Sequence, residues 1–148
     1  MNNINIDVIF EDNHLIAVNK KSGEIVQGDK TGDEPLSERV KKYLKVKYNK
    51  PGNVFLGTIH RIDRPTSGIV IFAKTSKALS RMNEKFRQNK ISKTYWAIVK
   101  NRLPNKNDLL EHYLLKNQKK NKSFLSTEEK GKFSVLEYNF LNNLNNYF

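Results

Sequence analysis

Hydrophobic and polar residues alternate near the N-terminus and then recur at helical spacing, which predicts two strands followed by a helix. Asp7–Asp12 and His14–Asn19 flank a turn at Asp12–Asn13, so they predict a β-hairpin. Asp33–Pro35 is typical of a helix start, because an acidic residue precedes an early proline. The apolar face of this predicted helix consists of Leu36, Val40, Tyr43, Leu44 and Tyr48.

The rest of the chain carries further strand patterns and one more helix. The apolar run Ile69–Ala73 predicts a strand that is buried on both faces. Thr75–Ser76 can cap a second helix, whose apolar face is Ala78, Leu79, Met82 and Phe86. Further strands are predicted at Lys90–Val99, Leu109–Leu115 and Phe133–Phe140, with a basic loop at Lys116–Lys122 and the start of another strand at Tyr147–Phe148.

The order of these elements indicates the fold class. Strands that occur both in hairpins and around two helices favour an α+β fold with a mainly antiparallel mixed sheet and two flanking helices. A chain of 148 residues is most simply one domain, which we place at residues 1–148.

Composition narrows the classes of partner and chemistry. The 27 Lys and Arg residues outnumber 15 acidic residues, and the net charge of +12 favours a polyanion such as RNA, although a Lys-rich composition alone could produce it. No apolar run is long enough to cross a membrane and the N-terminus has no signal-peptide character, so we expect a cytoplasmic protein without a membrane partner. We also expect a monomer. The absence of cysteine excludes disulfides, thiolate zinc sites and cysteine nucleophiles.

One polar segment before the apolar run carries candidate chemistry. Asp63 is a lone carboxylate between Arg61 and Arg64, and neighbouring cations favour the ionised form that a nucleophile needs. A general base, a metal ligand or a structural cap remain open for it. His60 and Asp63 lack a third metal ligand, and a retaining glycosidase would need a second carboxylate about 5 Å away, for which Glu11 or Asp12 are the candidates.

The segment His60–Gly68 resembles the central motif of the RluA-type pseudouridine synthases, with Ile62 in place of leucine. The similarity extends to Asp7–Lys20, to Ala73–Thr75 and to Lys93–Tyr95, in the order in which the family has them. It implies the catalytic-domain fold of that family and the isomerisation of specific uridines to pseudouridine in ribosomal or transfer RNA. No metal or organic cofactor is implied.

The resemblance also implies residue roles. Asp63 matches the catalytic aspartate, and Tyr95 matches a tyrosine that stacks on the target base near its C5 proton. Arg61 matches an arginine that holds the displaced nucleotide. His60, Arg64, Thr66 and Lys93 are the other candidates for substrate binding. If Trp96 points into the core, alternation along a strand turns Tyr95 to the opposite side, as the role requires.

The sequence departs from the family pattern in two places. Lys21 replaces the usual proline of a turn, Asn19–Gly23, that resembles one lining the family's active-site cleft. The family continues with a motif whose arginine pairs with the catalytic aspartate, and this sequence ends at Phe148 without it. We therefore expect a domain that is incomplete at its C-terminus, lacks an S4 RNA-binding domain and is weak or inactive. The alternative is a non-catalytic RNA-binding remnant of the same fold.

Overall fold

The computed structural model describes residues 5–143. The chain divides into two compact units, Met1–Lys93 and Thr94–Phe148. The first unit contains a four-stranded sheet and two helices, and the second contains a three-stranded sheet. The predicted α+β class is confirmed, and every strand pair within the described residues is antiparallel. That residues 1–148 form a single domain stays a prediction. The strand start predicted at Tyr147–Phe148 lies outside the described residues.

The sheet of the first unit is built around the apolar run after Asp63. Its strands are β1 (Val8–Glu11), β2 (Leu15–Lys20), β3 (Gly57–Thr58) and β4 (Gly68–Ala73), in the spatial order β1-β2-β4-β3. The predicted β1–β2 hairpin is confirmed. The carboxylate of Asp12 closes its turn by accepting the backbone N–H groups of His14 at 2.7 Å and Leu15 at 2.6 Å.

The first helix, α1 (Leu36–Lys47), covers one face of this sheet. It begins after Pro35, as predicted, and two of its unpaired N–H groups donate to the carbonyl oxygens of Ile25 and Val26. Alternate residues of β2 and β4 face it, because period-two alternation places them on the same side of the sheet. The resulting core cluster is Ile16, Val18, Val26, Leu36, Val40, Leu44, Val70 and Phe72.

The prediction that β4 is buried on both faces is wrong. Val70 and Phe72 are fully buried, but Ile69, on the opposite face, is 54% exposed. The second helix, α2 (Ser76–Arg87), lies on that opposite face at one end only, where Leu79 contacts Gly57. Ile69 lies at the other end of the strand, so α2 does not cover it. The predicted cap of α2 is confirmed, since the Thr75 hydroxyl accepts the Ala78 N–H at 3.1 Å.

The second unit is an antiparallel sheet in the order β6-β5-β7. Its strands are β5 (Asn107–Asn117), β6 (Lys122–Leu125) and β7 (Lys132–Asn139). The predicted strands at Leu109–Leu115 and Phe133–Phe140 are confirmed with shifted ends, and β6 is a strand that the sequence pattern does not predict. The predicted loop at Lys116–Lys122 shortens to a tight turn, in which Asn121 adopts the left-handed conformation with φ 47°.

The predicted strand at Lys90–Val99 is wrong. Residues 91–99 have no regular secondary structure, and no strand within residues 5–143 pairs with them. Strand propensity does not form a strand without a neighbour for its backbone hydrogen bonds. Trp96 is 89% exposed, so the expectation that it points into the core is also wrong.

Candidate active site

Asp63 lies in the irregular segment between β3 and β4, and its side chain is exposed. The chain turns immediately after it, because the Thr66 N–H donates to the Asp63 carbonyl at 3.0 Å. The Asp63 carboxylate has no hydrogen-bond or ion-pair partner within residues 5–143. A carboxylate that is accessible and unpaired on a defined turn is chemically available to a substrate.

The backbone after Asp63 is fixed to the turn that follows β2. The Arg64 carbonyl accepts the Gly23 N–H at 2.8 Å and the Lys20 ammonium at 3.1 Å. The Ser22 hydroxyl donates to the Pro65 carbonyl at 2.8 Å. Gly23 has φ 90°, a conformation that glycine adopts without steric strain, and this orients its N–H toward the loop. The segment carrying Asp63 is therefore held by three bonds, one from the end of β2 and two from the turn that follows it.

The two arginines beside Asp63 have different surroundings. Arg64 forms an ion pair with Asp33 and donates to the Thr31 hydroxyl at 3.2 Å, so its guanidinium is already engaged. Arg61 is exposed and has no such partner in the described part of the chain. Of the two, Arg61 is the one whose full set of donors is free for a phosphate or a base.

His60 joins β4 to α2. Its Nε2 accepts the Ile71 N–H at 3.1 Å, and its ring stacks on Phe86 with centroids 5.5 Å apart. Burial lowers the pKa of His60, and the positive charge of Lys93 lowers it further. Because Nε2 is an acceptor, the neutral ring carries its proton on Nδ1. These contacts are within the protein, and a substrate-binding role for His60 stays a prediction.

The remaining candidate site residues are Thr66, Lys93 and Tyr95, whose side chains are not fixed by hydrogen bonds or ion pairs in the described part of the chain. Thr66 is half-buried and takes part in the turn through its backbone, and Lys93 is exposed. Tyr95 belongs to the second unit, where it is 60% exposed and has no hydrogen-bond or ring partner among residues 5–143. Their substrate contacts stay predictions.

The residue that sequence reasoning missed is Lys20. The sequence places Lys20 in the polar turn Asn19–Gly23, yet its side chain is fully buried. A signal was present, since Lys20 continues the alternation of Ile16 and Val18 on the core face of β2.

The carboxylates considered for a glycosidase are engaged elsewhere. Glu11 accepts hydrogen bonds from Lys47 and Lys74, and Asp12 closes the β1–β2 turn. Within the described ranges, no group of three or more His, Asp or Glu side chains could hold a metal ion. No helix in that part of the chain is long and apolar enough to span a bilayer.

Comparison with known proteins decides the family. The sequence profile described as RNA pseudouridylate synthase matches residues 14–147. The chain belongs to the RNA pseudouridylate synthase family. The RluA-type resemblance found in the sequence is thereby confirmed, and the elements that carry Asp63 lie inside the matched range.

Two relatives in this family show which pseudouridine synthases the chain is similar to. It is 37% identical over 126 residues to the ribosomal large subunit pseudouridine synthase C of Buchnera aphidicola, covering 84% of this chain and 38% of the relative. It is 36% identical over 104 residues to the tRNA pseudouridine synthase C of Haemophilus ducreyi, covering 70% of this chain and 41% of the relative. The chain thus spans about two-fifths of the length of these relatives.

A solved structure agrees with the pseudouridylate synthase fold. Human RNA Pseudouridylate Synthase Domain Containing 4 superimposes with a TM-score of 0.73 at 18% sequence identity. The match covers 90% of this chain and 52% of the human chain. At this identity the likeness concerns the fold, and the predicted fold of the catalytic domain is confirmed by it.

Proposed function

We propose that this chain carries the catalytic loop of an RNA pseudouridine synthase, and that Asp63 is its catalytic carboxylate. The observation that carries the proposal is the exposed, unpartnered carboxylate on a loop whose following backbone is fixed by bonds to another element. A reacting group needs this combination of accessibility and fixed position. Membership of the family supplies the reaction class.

The reaction is an isomerisation and needs no external oxidant or reductant. The bond from uracil N1 to ribose C1′ breaks, the base rotates, and a new bond joins C5 to C1′. The proton lost from C5 is balanced by the proton gained at N1. Asp63 acts at the ribose or at the base during bond cleavage, and the chemistry is compatible with either order of steps.

RNA is the substrate class we propose, because the net charge of +12 favours a polyanion. A base must leave its stack before its glycosidic bond can be reached. Arg61 is proposed to hold the displaced nucleotide, and the Tyr95 ring to stack on the target base. His60, Arg64, Thr66 and Lys93 are proposed to contact the RNA around them. The names of the relatives include both ribosomal and transfer RNA enzymes, so either RNA is a reasonable test substrate.

A tritium-release assay with [5-³H]uridine-labelled RNA tests the proposal. The unsubstituted chain should release tritium above the level of a blank that contains only RNA. Asp63→Asn should abolish release while RNA affinity stays within several-fold, since the carboxylate is proposed to act in the reaction. Glu128→Gln, in the exposed turn before β7, is a matched control and should leave release unchanged. Release that survives Asp63→Asn would refute the role of Asp63.

A second function has support of its own. A non-catalytic RNA-binding module agrees with the unpaired segment at residues 91–99, which contains the proposed stacking residue Tyr95. RNA binding without tritium release, in a sample whose circular dichroism shows it to be folded, would favour this function over catalysis.

A further inference from the structure

Lys20 is a buried cation at the end of β2, with none of its surface exposed. Lysine is rarely buried completely, because removing an ammonium from water is unfavourable unless its donors are satisfied. The side chain lies on the same strand face as Ile16 and Val18, which belong to the core. Neither packing nor solubility explains a charged residue at this position.

The ammonium of Lys20 is satisfied entirely by backbone oxygens. It donates to the carbonyls of Glu24 at 2.8 Å, Lys21 at 3.0 Å and Arg64 at 3.1 Å. An ammonium has three N–H donors, so each one is used. Burial lowers the pKa of Lys20 and the positive charge of Arg64 lowers it further, while the carboxylates of Glu24 and Asp63 act in the opposite direction. The charge of Asp63 is therefore close enough to act on this cation.

The three acceptors lie on two separate segments. Lys21 and Glu24 belong to the turn after β2, whereas Arg64 directly follows Asp63 and lies 44 residues after Lys20. The Arg64 carbonyl also accepts the Gly23 N–H, so both bonds meet at one oxygen. Fixing that peptide group restricts the backbone from which the Asp63 side chain projects.

We propose that Lys20 is a positioning residue that holds the Asp63–Arg64 backbone against the turn at residues 21–24. Its consequence for catalysis rests on the proposed function, but the anchor itself does not. No other side chain presents three donors from one small charged group at the end of a flexible stem. Methionine at this position would retain much of the length and lose every donor.

Hydrogen exchange of Lys20→Met tests the anchor directly. The amides of Gly23 and Thr66, whose bonds define the loop, should exchange at least about tenfold faster, while those of the β2–β4 ladder change little. Lys45→Met is the matched control, because Lys45 is an exposed lysine of α1 without an ion-pair partner in the described residues. Unchanged exchange at both amides would overturn the proposal, as would equal acceleration throughout the ladder.

A measurement on the unsubstituted chain covers the case in which Lys20→Met does not fold. Acetylation with limiting acetic anhydride, followed by mass spectrometry of peptides, should modify Lys20 at least about tenfold more slowly than Lys45, since a buried amine reacts only on opening. Equal rates of acetylation would overturn the buried anchor.

Turnover separates this proposal from the proposed function. If the unsubstituted chain releases tritium, Lys20→Met should reduce kcat by about a hundredfold, as expected for a displaced reacting group, with KM and RNA affinity within threefold. A kcat within twofold of the unsubstituted chain would refute the positioning role. If the unsubstituted chain releases none, the proposed function fails, and exchange and acetylation still decide whether Lys20 anchors the loop.

Discussion

Glu11 provides the sharpest quantitative test of the forces that hold the first unit together. Its carboxylate, on β1, is 7% exposed and accepts hydrogen bonds from Lys74 at 2.7 Å, Tyr48 at 2.7 Å and Lys47 at 2.8 Å. Lys47 and Tyr48 come from the end of α1, and Lys74 follows β4. One carboxylate therefore links the helix to both the edge and the centre of the sheet.

The pKa of Glu11 gives the size of this contribution. Burial alone would raise the pKa, but hydrogen bonds from Lys47, Lys74 and Tyr48 outweigh it and lower the pKa from 4.5 to about 2. A difference of this size corresponds to about 3 kcal/mol of folding free energy. Because the folded pKa is the lower one, this stability is present above about pH 4.5 and is lost as the pH falls toward 2.

Glu11→Gln removes the charge with little change in volume and should lower the free energy of unfolding by about 3 kcal/mol at pH 7. The difference from the unsubstituted chain should shrink between pH 4.5 and pH 2. Urea unfolding followed by far-ultraviolet circular dichroism measures it. Fluorescence is unsuitable, because the single Trp96 lies in the second unit.

The control is Glu38→Gln, which breaks the exposed ion pair with Lys41 on α1. Exposed pairs contribute about 0–1 kcal/mol, so this variant should unfold almost like the unsubstituted chain. A loss for Glu11→Gln of less than about 1 kcal/mol at pH 7, or a loss that does not depend on pH, would refute the linkage reasoning.

Two further predictions address residues of the candidate site. His60→Phe should lower stability by about 1–3 kcal/mol, because the Ile71 N–H loses its acceptor. Since burial lowers the pKa of His60, protonation of its ring opposes folding, and the unsubstituted chain should lose stability as the pH falls below about 6.5. His60→Phe should lack this decline, which melting temperatures between pH 8 and pH 5 would measure. Tyr95→Phe should preserve RNA affinity through stacking and slow tritium release by at least about tenfold, and equal rates would limit Tyr95 to a stacking role.

Local pattern predicted most of the first unit. The alternation in β1 and β2, and the helical spacing of Leu36, Val40 and Leu44, depend on backbone geometry that each segment carries by itself. The same reasoning failed for residues 91–99, where strand propensity was strong. A strand also needs a partner, and no short segment of sequence specifies where that partner lies.

In the candidate site, too, the sequence determined some features and tertiary structure determined others. The sequence alone determined that Asp63 is a lone carboxylate between two arginines at the entry of a core strand, and its motif identified the family. Which arginine is engaged was decided by tertiary structure, because Arg64 meets Asp33 and Arg61 meets no partner in the described chain. Two identical side chains in one motif differ only through the residues that folding brings beside them.

Lys20 shows the limit most clearly. The sequence alone does not distinguish Lys20 from the other lysines of this basic chain, all of which contribute one positive charge. Folding places its ammonium against a carbonyl from a residue 44 positions away and excludes water from it. Sequence thus determined which groups are present and their local periodicity, whereas tertiary structure decided which of them are buried, paired or free, because those properties depend on contacts between distant segments.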